Sequence, residues 1–194
     1  MSLSDLERWN AKYSTKSVPD QVSPDEWLTR QISGLVPGEA LELACGLGHN
    51  AIWLAQQGWK VDAVDVSPVG LKLAEQLAHH AACQTVSWIV ADLDTFEPCR
   101  ERYDLIVVFR FLDRARLPRL IESALRPGGM LIYETFSRQQ MSRPDNHLKS
   151  ADFTLAPGEL PQLFPDFVVL EAEEVDLPDR SVARLVARKL DRSL

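Results

Sequence analysis

Residues 41–50 read LELACGLGHN, and this stretch decides the fold. The mostly apolar residues 40–44 predict a short buried strand. Gly46 and Gly48 allow the chain to turn sharply after the strand, and they let a ligand approach the backbone with no Cβ in the way. A helix predicted from about His49 begins with unpaired N–H groups, which suit a carboxylate or a phosphate. The stretch therefore predicts a strand, a glycine turn and a helix that together bind a ligand.

Strands and helices alternate after this unit. Four more apolar segments have the length of strands: Lys60 to Val64, Val86 to Val90, Asp104 to Phe109 and Met130 to Tyr133. Around them, apolar residues recur at intervals of three and four over residues 71–81 and 117–125, as on the buried face of a helix. Pro127-Gly128-Gly129 is expected to break the second of these helices before the fifth strand begins. The alternation predicts a parallel sheet covered on both faces by helices.

The C-terminal part follows a different pattern. After a helix near Pro157 to Phe164, the segments Phe167 to Val175 and Ser181 to Arg188 both read as strands. Only residues 176–180 separate them, and so short a connection joins antiparallel strands. We therefore expect an α/β fold whose doubly wound, seven-stranded sheet is mostly parallel and ends in an antiparallel hairpin.

The N-terminal part is predicted to be an appendage. Residues 1–22 are polar and carry the aromatic Trp9 and Tyr13, so they are interpreted as an arm or a lid. The segment 23–26, SPDE, predicts a helix start with Ser23 as the N-cap. The rest, residues 23–190, is predicted to form a single domain.

Composition narrows the choice of functions. The chain has 194 residues and a net charge of −7, which disfavours nucleic acid as a partner because phosphate contacts need Lys and Arg. It shows no apolar run long enough for a membrane span and no secretory signal, and its three cysteines lack the spacing of a metal site. We therefore expect a cytoplasmic protein, with no membrane partner and no metal, as a monomer or a homodimer.

A local excess of positive charge departs from that balance. Residues 110–149 hold eight basic and four acidic side chains. Two interpretations stay open: a solvated helix face with its loop, or an anion-attracting rim around a substrate site.

A carboxylate marks the predicted ligand site. Asp65 stands at the end of the second strand, where it can accept hydrogen bonds from both ribose hydroxyls of an adenosine. Residues 46–51 also fit the G-x-G-x-x-A pattern of dinucleotide-binding proteins, which alone is weak evidence. The two motifs predict an adenosine-bearing cofactor and leave its identity open.

Three features resemble the class I S-adenosylmethionine-dependent methyltransferases. Glu42 precedes a small-Cys-Gly-x-Gly turn at residues 44–48; residues 90–93, VADL, end the third strand; and residues 125–132, LRPGGMLI, precede the fifth strand. The antiparallel last strand is the family's hallmark. The resemblance covers about residues 23–190 and implies a Rossmann-like fold with S-adenosylmethionine as the cofactor.

The resemblance also implies roles for individual residues. Asp65 would hold the ribose, Asp92 the adenine amino group, and the backbone N–H of Leu93 the ring. The full set of cofactor-binding residues implied is Glu42, Ala44, Cys45, Gly46, Gly48, Asp65, Val66, Ser67, Asp92, Leu93 and Phe109. For Asp92, a local capping role is the alternative. Trp9, Tyr13 and the segments 109–112, 133–136 and 157–160 further resemble the small bacterial tellurite-resistance and thiopurine methyltransferase-like branch.

The methyl acceptor is harder to predict. We expect a small molecule (a thiol, a metalloid oxyanion or a carboxylate) methylated by in-line transfer, since alignment alone can supply much of such catalysis. Tyr13, Phe111 and Tyr133 are candidates to line the methyl site, and Arg110 is a candidate to hold an anionic acceptor. An NAD-dependent oxidoreductase and a non-catalytic module that binds the cofactor are the alternatives.

Overall fold

The computed structural model describes residues 3–191. The strands form a seven-stranded sheet in the order β3-β2-β1-β4-β5-β7-β6, numbered along the chain. The predicted α/β fold, mostly parallel with an antiparallel C-terminal hairpin, is confirmed. Two compact units divide the chain, Met1–Pro98 and Cys99–Leu194, and each is described separately. No helix within residues 3–191 is both long and apolar enough to cross a membrane.

The first unit contains three parallel strands and four helices. Its elements are α1 (Leu3–Ser14), α2 (Glu26–Gln31), β1 (Glu39–Leu43), α3 (His49–Gln56), β2 (Lys60–Asp65), α4 (Pro68–His80) and β3 (Val86–Val90). The central strand β2 pairs with β1 on one side and with β3 on the other, in parallel. Because parallel strands end at the same edge, the residues that follow β1, β2 and β3 gather there.

Burial explains why these segments form a layered unit. Leu41, Leu43 and Val64 are fully buried, as expected for strands covered on both faces. Ile52 of α3 and Leu77 of α4 belong to one apolar cluster. Fully burying one such side chain stabilises a fold by about 1.5–3 kcal/mol, so these contacts fix both helices on the sheet.

The second unit carries the antiparallel part of the sheet. Its elements are β4 (Tyr103–Phe109), α5 (Leu117–Ala124), β5 (Leu125–Phe136), two short 3-10 helices (Arg138–Ser142 and Ala151–Phe153), α6 (Glu159–Gln162), β6 (Phe167–Asp176) and β7 (Ser181–Lys189). β4 and β5 are parallel, whereas β7 pairs antiparallel with both β5 and β6. The expected hairpin is therefore present at residues 167–189.

Two predicted boundaries are wrong. Helix α2 begins later than expected, with Asp25 rather than Ser23 as the N-cap, because the Asp25 carboxylate accepts from Trp27 N–H at 3.0 Å. Strand β5 begins at Leu125 rather than Met130. Tyr103 pairs with Leu125 while Leu105 already pairs with Met130, so the Pro-Gly-Gly segment bulges from the strand instead of preceding it.

Candidate functional site

The glycine turn has an unusual backbone. Ala44, Gly46 and Gly48 have φ values of 56°, 58° and 70°, the left-handed region that glycine adopts at little cost. The turn is closed by a hydrogen bond from the N–H of Gly48 to the carbonyl of Cys45, at 2.9 Å. Gly48 is also the N-cap of α3. The sequence-predicted order of strand, glycine turn and helix is thus present at residues 39–56.

Asp65 is oriented by the backbone around it. Its Oδ1 accepts from the N–H of Ser67 at 2.9 Å, and its Oδ2 accepts from the N–H of Gly46 at 2.8 Å. Burial raises the pKa of this carboxyl, and the hydrogen bonds from Ser67 and Gly46 work in the opposite direction. Each carboxylate oxygen has a second lone pair, so Asp65 can accept further hydrogen bonds while it stays in place.

Asp92 lies just beyond β3 and shapes a turn rather than a helix. Its Oδ1 accepts from the N–H of Asp94 at 2.9 Å, and its carbonyl accepts from the N–H of Phe96 at 2.8 Å. The N–H of Ala91 donates to the carbonyl of Asp65 at 3.0 Å, which ties this turn to the end of β2. The two carboxylates predicted to hold one adenosine therefore follow neighbouring parallel strands at the same edge.

Helix α1 brings Tyr13 onto the glycine turn. A Cβ on Gly46 would lie 2.7 Å from the Tyr13 hydroxyl, and a Cβ on Gly70 would lie 2.8 Å from Tyr13 Cδ2. Burial, together with the negative charge of Asp65 and the thiol of Cys45, raises the pKa of Tyr13. The phenol is therefore a neutral hydroxyl beside the turn, in contact with backbone that only glycine leaves open.

A second bond anchors the same helix. Ser67, the N-cap of α4, accepts from the N–H of Gly70 at 3.0 Å and donates its hydroxyl hydrogen to Asn10 Oδ1 at 2.7 Å. Sequence reasoning did not find Asn10, because nothing local in α1 shows that it lies against α4.

Glu42, the acidic residue of the turn motif, is 3% exposed and accepts from Asn50 Nδ2 at 3.2 Å. Asn50 in turn accepts from the N–H of Asp25 at 2.8 Å. Asn50 was not predicted as a functional residue. Its place directly after the glycine turn was the available signal, since a polar side chain buried there needs a hydrogen-bonding partner.

The remaining candidates lie in the second unit: Phe109 for the cofactor, and Arg110, Phe111 and Tyr133 for the acceptor. Phe109 ends β4 and is buried. Arg110 follows it with a φ of 57°, exposed, and its N–H donates to the Glu134 carbonyl at 2.8 Å. Tyr133 is 1% exposed, and its hydroxyl donates to the Phe111 carbonyl at 2.9 Å. Tyr133 thus holds the segment after β4 in place through Phe111.

Part of the basic excess between residues 110 and 149 is structural. Ion pairs within the second unit join Arg114 to Glu159, Arg126 to Asp104, and Arg143 to both Asp145 and Asp176. Arg114 also donates to the carbonyls of residues 152 and 154. Arg114 joins the segment before α5 to α6, Arg126 joins β5 to β4, and Arg143 joins its loop to the end of β6.

The first unit presents a donor and acceptor set that fits an adenosine. A ribose offers hydroxyl donors to a carboxylate such as Asp65, and an adenine amino group offers a donor to Asp92. No group of three His, Cys, Asp or Glu side chains within residues 3–191 is placed to hold a metal ion.

Comparison with known proteins decides between the possible cofactors. A family model described as a methyltransferase domain matches residues 40–129, which include the glycine turn, Asp65 and Asp92. Residues 40–129 of this chain therefore form a methyltransferase domain. The predicted family and its cofactor, S-adenosylmethionine, are confirmed.

Of two curated relatives, one carries the same assignment in its name. The chain is 28% identical over 145 residues to the probable S-adenosyl-L-methionine-dependent methyltransferase TehB of Haemophilus influenzae, covering 71% of this chain and 49% of TehB. It is 31% identical over 155 residues to Hemagglutinin 1 of Eikenella corrodens, covering 74% and 48%. The chain thus spans about half the length of these curated relatives.

The fold comparison agrees. The crystal structure of TehB from Haemophilus influenzae superposes with a TM-score of 0.69 at 21% identity, covering 95% of this chain and 66% of TehB. The predicted resemblance to the tellurite-resistance branch is confirmed by these matches in sequence and in fold.

Proposed function

We propose that this chain is an enzyme that transfers the methyl group of S-adenosylmethionine to a small-molecule acceptor: a thiol, a metalloid oxyanion or a carboxylate. The observation that carries the cofactor half of the proposal is the double hydrogen bond that aims the Asp65 carboxylate. When bound, the cofactor supplies a methyl group already activated on a sulfonium.

The residues of the first unit have distinct parts in this proposal. Asp65 holds the ribose, Asp92 accepts from the adenine amino group, and the backbone N–H of Leu93 contacts the ring. The remaining predicted contacts line the turn and the start of α4: Glu42, Ala44, Cys45, Gly46, Gly48, Val66 and Ser67. Tyr13, in contact with Gly46, shields this side of the turn from water. We propose Phe109 of the second unit as a further cofactor contact.

Arg110 supports an acceptor that carries negative charge. It directly follows β4 at the carboxyl end of the strand, the end at which open α/β sheets bind ligands. Burial alone would raise the pKa of Asp179, but its hydrogen bond to Arg180 and the charges of Arg180 and Arg110 lower it. The positive charge of Arg110 thus favours the ionised form of a carboxylate in the same unit. Among the three acceptor classes, resemblance to the tellurite-resistance branch favours the metalloid oxyanion.

Titration calorimetry and a methyl-transfer assay test the proposal in sequence. We expect S-adenosylmethionine and S-adenosylhomocysteine to bind and NAD not to bind. Radiolabelled methyl transfer to a panel of thiols, metalloid oxyanions and carboxylates then identifies the acceptor class. Tight NAD binding without S-adenosylmethionine binding would overturn the cofactor assignment. Retention of S-adenosylhomocysteine with no transfer to any acceptor would instead favour a binding module.

The proposed role of Arg110 in binding the acceptor is tested separately. We expect Arg110→Ala to raise KM for an anionic acceptor and to leave the affinity for S-adenosylhomocysteine as it is. Arg30→Ala removes an exposed arginine from α2 and serves as the matched control. Unchanged acceptor kinetics in Arg110→Ala would remove this residue from the proposal.

A further inference from the structure

We propose that His49 and Asn50 are positioning residues for the cofactor site: they clamp residues 23–25 onto the start of α3 and thereby keep α1, with Tyr13, over the glycine turn. The inference rests on the cofactor site assigned above. It concerns what holds that site closed and adds no ligand contact.

The clamp consists of two hydrogen bonds from backbone to side chain. The N–H of Ser23 donates to His49 Nδ1 at 3.1 Å, and the N–H of Asp25 donates to Asn50 Oδ1 at 2.8 Å. Both donors lie directly before α2, and both acceptors are in the first turn of α3. Helix starts carry backbone N–H groups without partners in the helix, so side-chain acceptors there fix the segment in one position.

Asn50 extends the clamp to β1, the strand that leads into the glycine turn. Its Nδ2 donates to Glu42 Oε1 at 3.2 Å while its Oδ1 accepts from Asp25, and Asn50 and Glu42 are 7% and 3% exposed. This arrangement permits only one orientation of the amide, since a flipped amide would place its oxygen against the carboxylate. The acidic residue of the turn motif is therefore connected through one side chain to the start of α2.

The segment between α1 and α2 links the clamp to Tyr13. Val18 and Val22 pack against the cluster that contains Ile52 and Leu77, so the connection runs along the core rather than through solvent. At the other end, Asn10 bonds to Ser67. The hydrogen bond of Asn10 to Ser67 thus fixes helix α1 itself, and the bond of Ser23 to His49 fixes the chain beyond the end of the helix. Tyr13 lies between these two contacts in the sequence.

This geometry predicts a specific effect of removing the His49 side chain. If its imidazole is removed, Ser23 loses its acceptor, residues 15–25 gain freedom, and Tyr13 spends less time over Gly46. Since the hydrogen bond is lost in the free protein as well, the effect is visible without any cofactor.

Three variants of the 194-residue chain test this. His49→Ala removes the acceptor. His49→Asn restores one, because Asn Oδ1 takes nearly the place of the imidazole Nδ1. His80→Ala is the matched control, because His80 is exposed at the end of α4. Amide hydrogen exchange of Ser23 is followed by NMR in the free protein, and S-adenosylhomocysteine affinity is measured by calorimetry.

We expect faster exchange at Ser23 and an affinity weaker by up to about 10-fold in His49→Ala, because reordering the freed segment on binding costs at most about the free energy of the lost hydrogen bond. His49→Asn should recover most of both, and His80→Ala should match the wild type. Unchanged exchange and affinity in His49→Ala would overturn the clamp, as would a weakened affinity that His49→Asn does not recover. Failure of the wild type to bind S-adenosylhomocysteine would instead contradict the cofactor assignment, so the two failures are distinguishable.

A fourth variant tests the part of Asn50 in the clamp. Asn50→Asp keeps an acceptor for the Asp25 N–H but loses the donor to Glu42 and sets two carboxyl groups together. We expect the Asp25 amide to stay protected while S-adenosylhomocysteine affinity falls. Unchanged affinity would show that the link to Glu42 plays no part.

Discussion

Asp65 Oδ2 accepts a hydrogen bond from the backbone N–H of Gly46 at 2.8 Å. This bond joins the end of β2 to the turn after β1, so the residue predicted to hold the ribose also fixes the turn predicted to admit the rest of the cofactor. A substitution at either residue should therefore alter both the orientation of the carboxylate and the conformation of the turn.

Asp65→Asn should weaken cofactor binding by at least about tenfold, because it replaces a charged acceptor of ribose hydroxyls and turns one acceptor of a backbone N–H into a donor. Hydrogen bonds to charged groups contribute about 1.5–3 kcal/mol, and about 1.4 kcal/mol corresponds to a factor of ten. Calorimetry with S-adenosylhomocysteine measures the change. Wild-type affinity in this variant would contradict the assigned role.

Gly46→Ala should destabilise the protein through two separable effects. The new Cβ would lie 2.7 Å from the Tyr13 hydroxyl, and Gly46 has a φ of 58°, which costs a non-glycine residue about 1–2 kcal/mol. Tyr13→Phe removes the oxygen and leaves Cζ as the nearest atom, at 3.8 Å.

The two changes should therefore be non-additive. In the Tyr13→Phe background, Gly46→Ala should cost only the free energy of placing alanine in the left-handed conformation. Urea unfolding of the wild type, the two single variants and the double variant gives the coupling free energy between the two positions. Strict additivity would show that the hydroxyl does not lie over Gly46.

Glu134→Gln should destabilise the second unit strongly. Glu134, Arg184 and Glu173 lie opposite one another across β5, β7 and β6. Glu134 is fully buried and bonds to Arg184 Nε at 2.9 Å, whereas the Glu173 side chain is 41% exposed. Removing one partner of a buried pair costs about 3–5 kcal/mol.

Glu173→Gln is the control for that change, since the Glu173 side chain is exposed and a carboxylate in contact with solvent contributes only about 0–1 kcal/mol to an ion pair. Urea denaturation measures both free energies of unfolding. Equal losses in the two variants would contradict the difference in burial.

The ion pair of Arg114 and Glu159 should appear in the pH dependence of stability. The hydrogen bond from Arg114 lowers the pKa of Glu159 from its ordinary value of 4.5. A carboxyl whose pKa is lower in the folded state binds protons more weakly there than in the unfolded chain. Its contribution is therefore complete above about pH 4.5 and is lost as the pH falls through the lowered pKa.

Glu159→Gln removes this contribution. Above about pH 4.5, the difference in unfolding free energy between wild type and variant should be constant. It should be below about 1 kcal/mol, because the pair is partly exposed. In more acidic solution the difference should shrink. Urea titrations across this range measure it. A difference that grew on acidification would reverse the assigned sign.

The sequence by itself determined the fold class and the family. The periodicity of apolar residues is a local property, so the five parallel strands and the closing hairpin could be predicted within a few residues. Residues 44–48, Asp65 and Asp92 could be predicted for the same reason, because a glycine turn and an acid at a strand end are encoded where they stand. The boundaries that failed, at Ser23 and Met130, depend on side-chain and strand pairing that no local pattern records.

Only the tertiary structure decided which distant side chains lie around the candidate site. Asn10 meets Ser67, Tyr13 meets Gly46, and the amides of Ser23 and Asp25 meet His49 and Asn50. Each of these contacts joins residues far apart in the chain, and each exists because packing of α1 and of residues 15–25 on α3 and α4 brings them together. A buried polar group must find a partner, but the sequence alone cannot say which one the folded chain will place within reach.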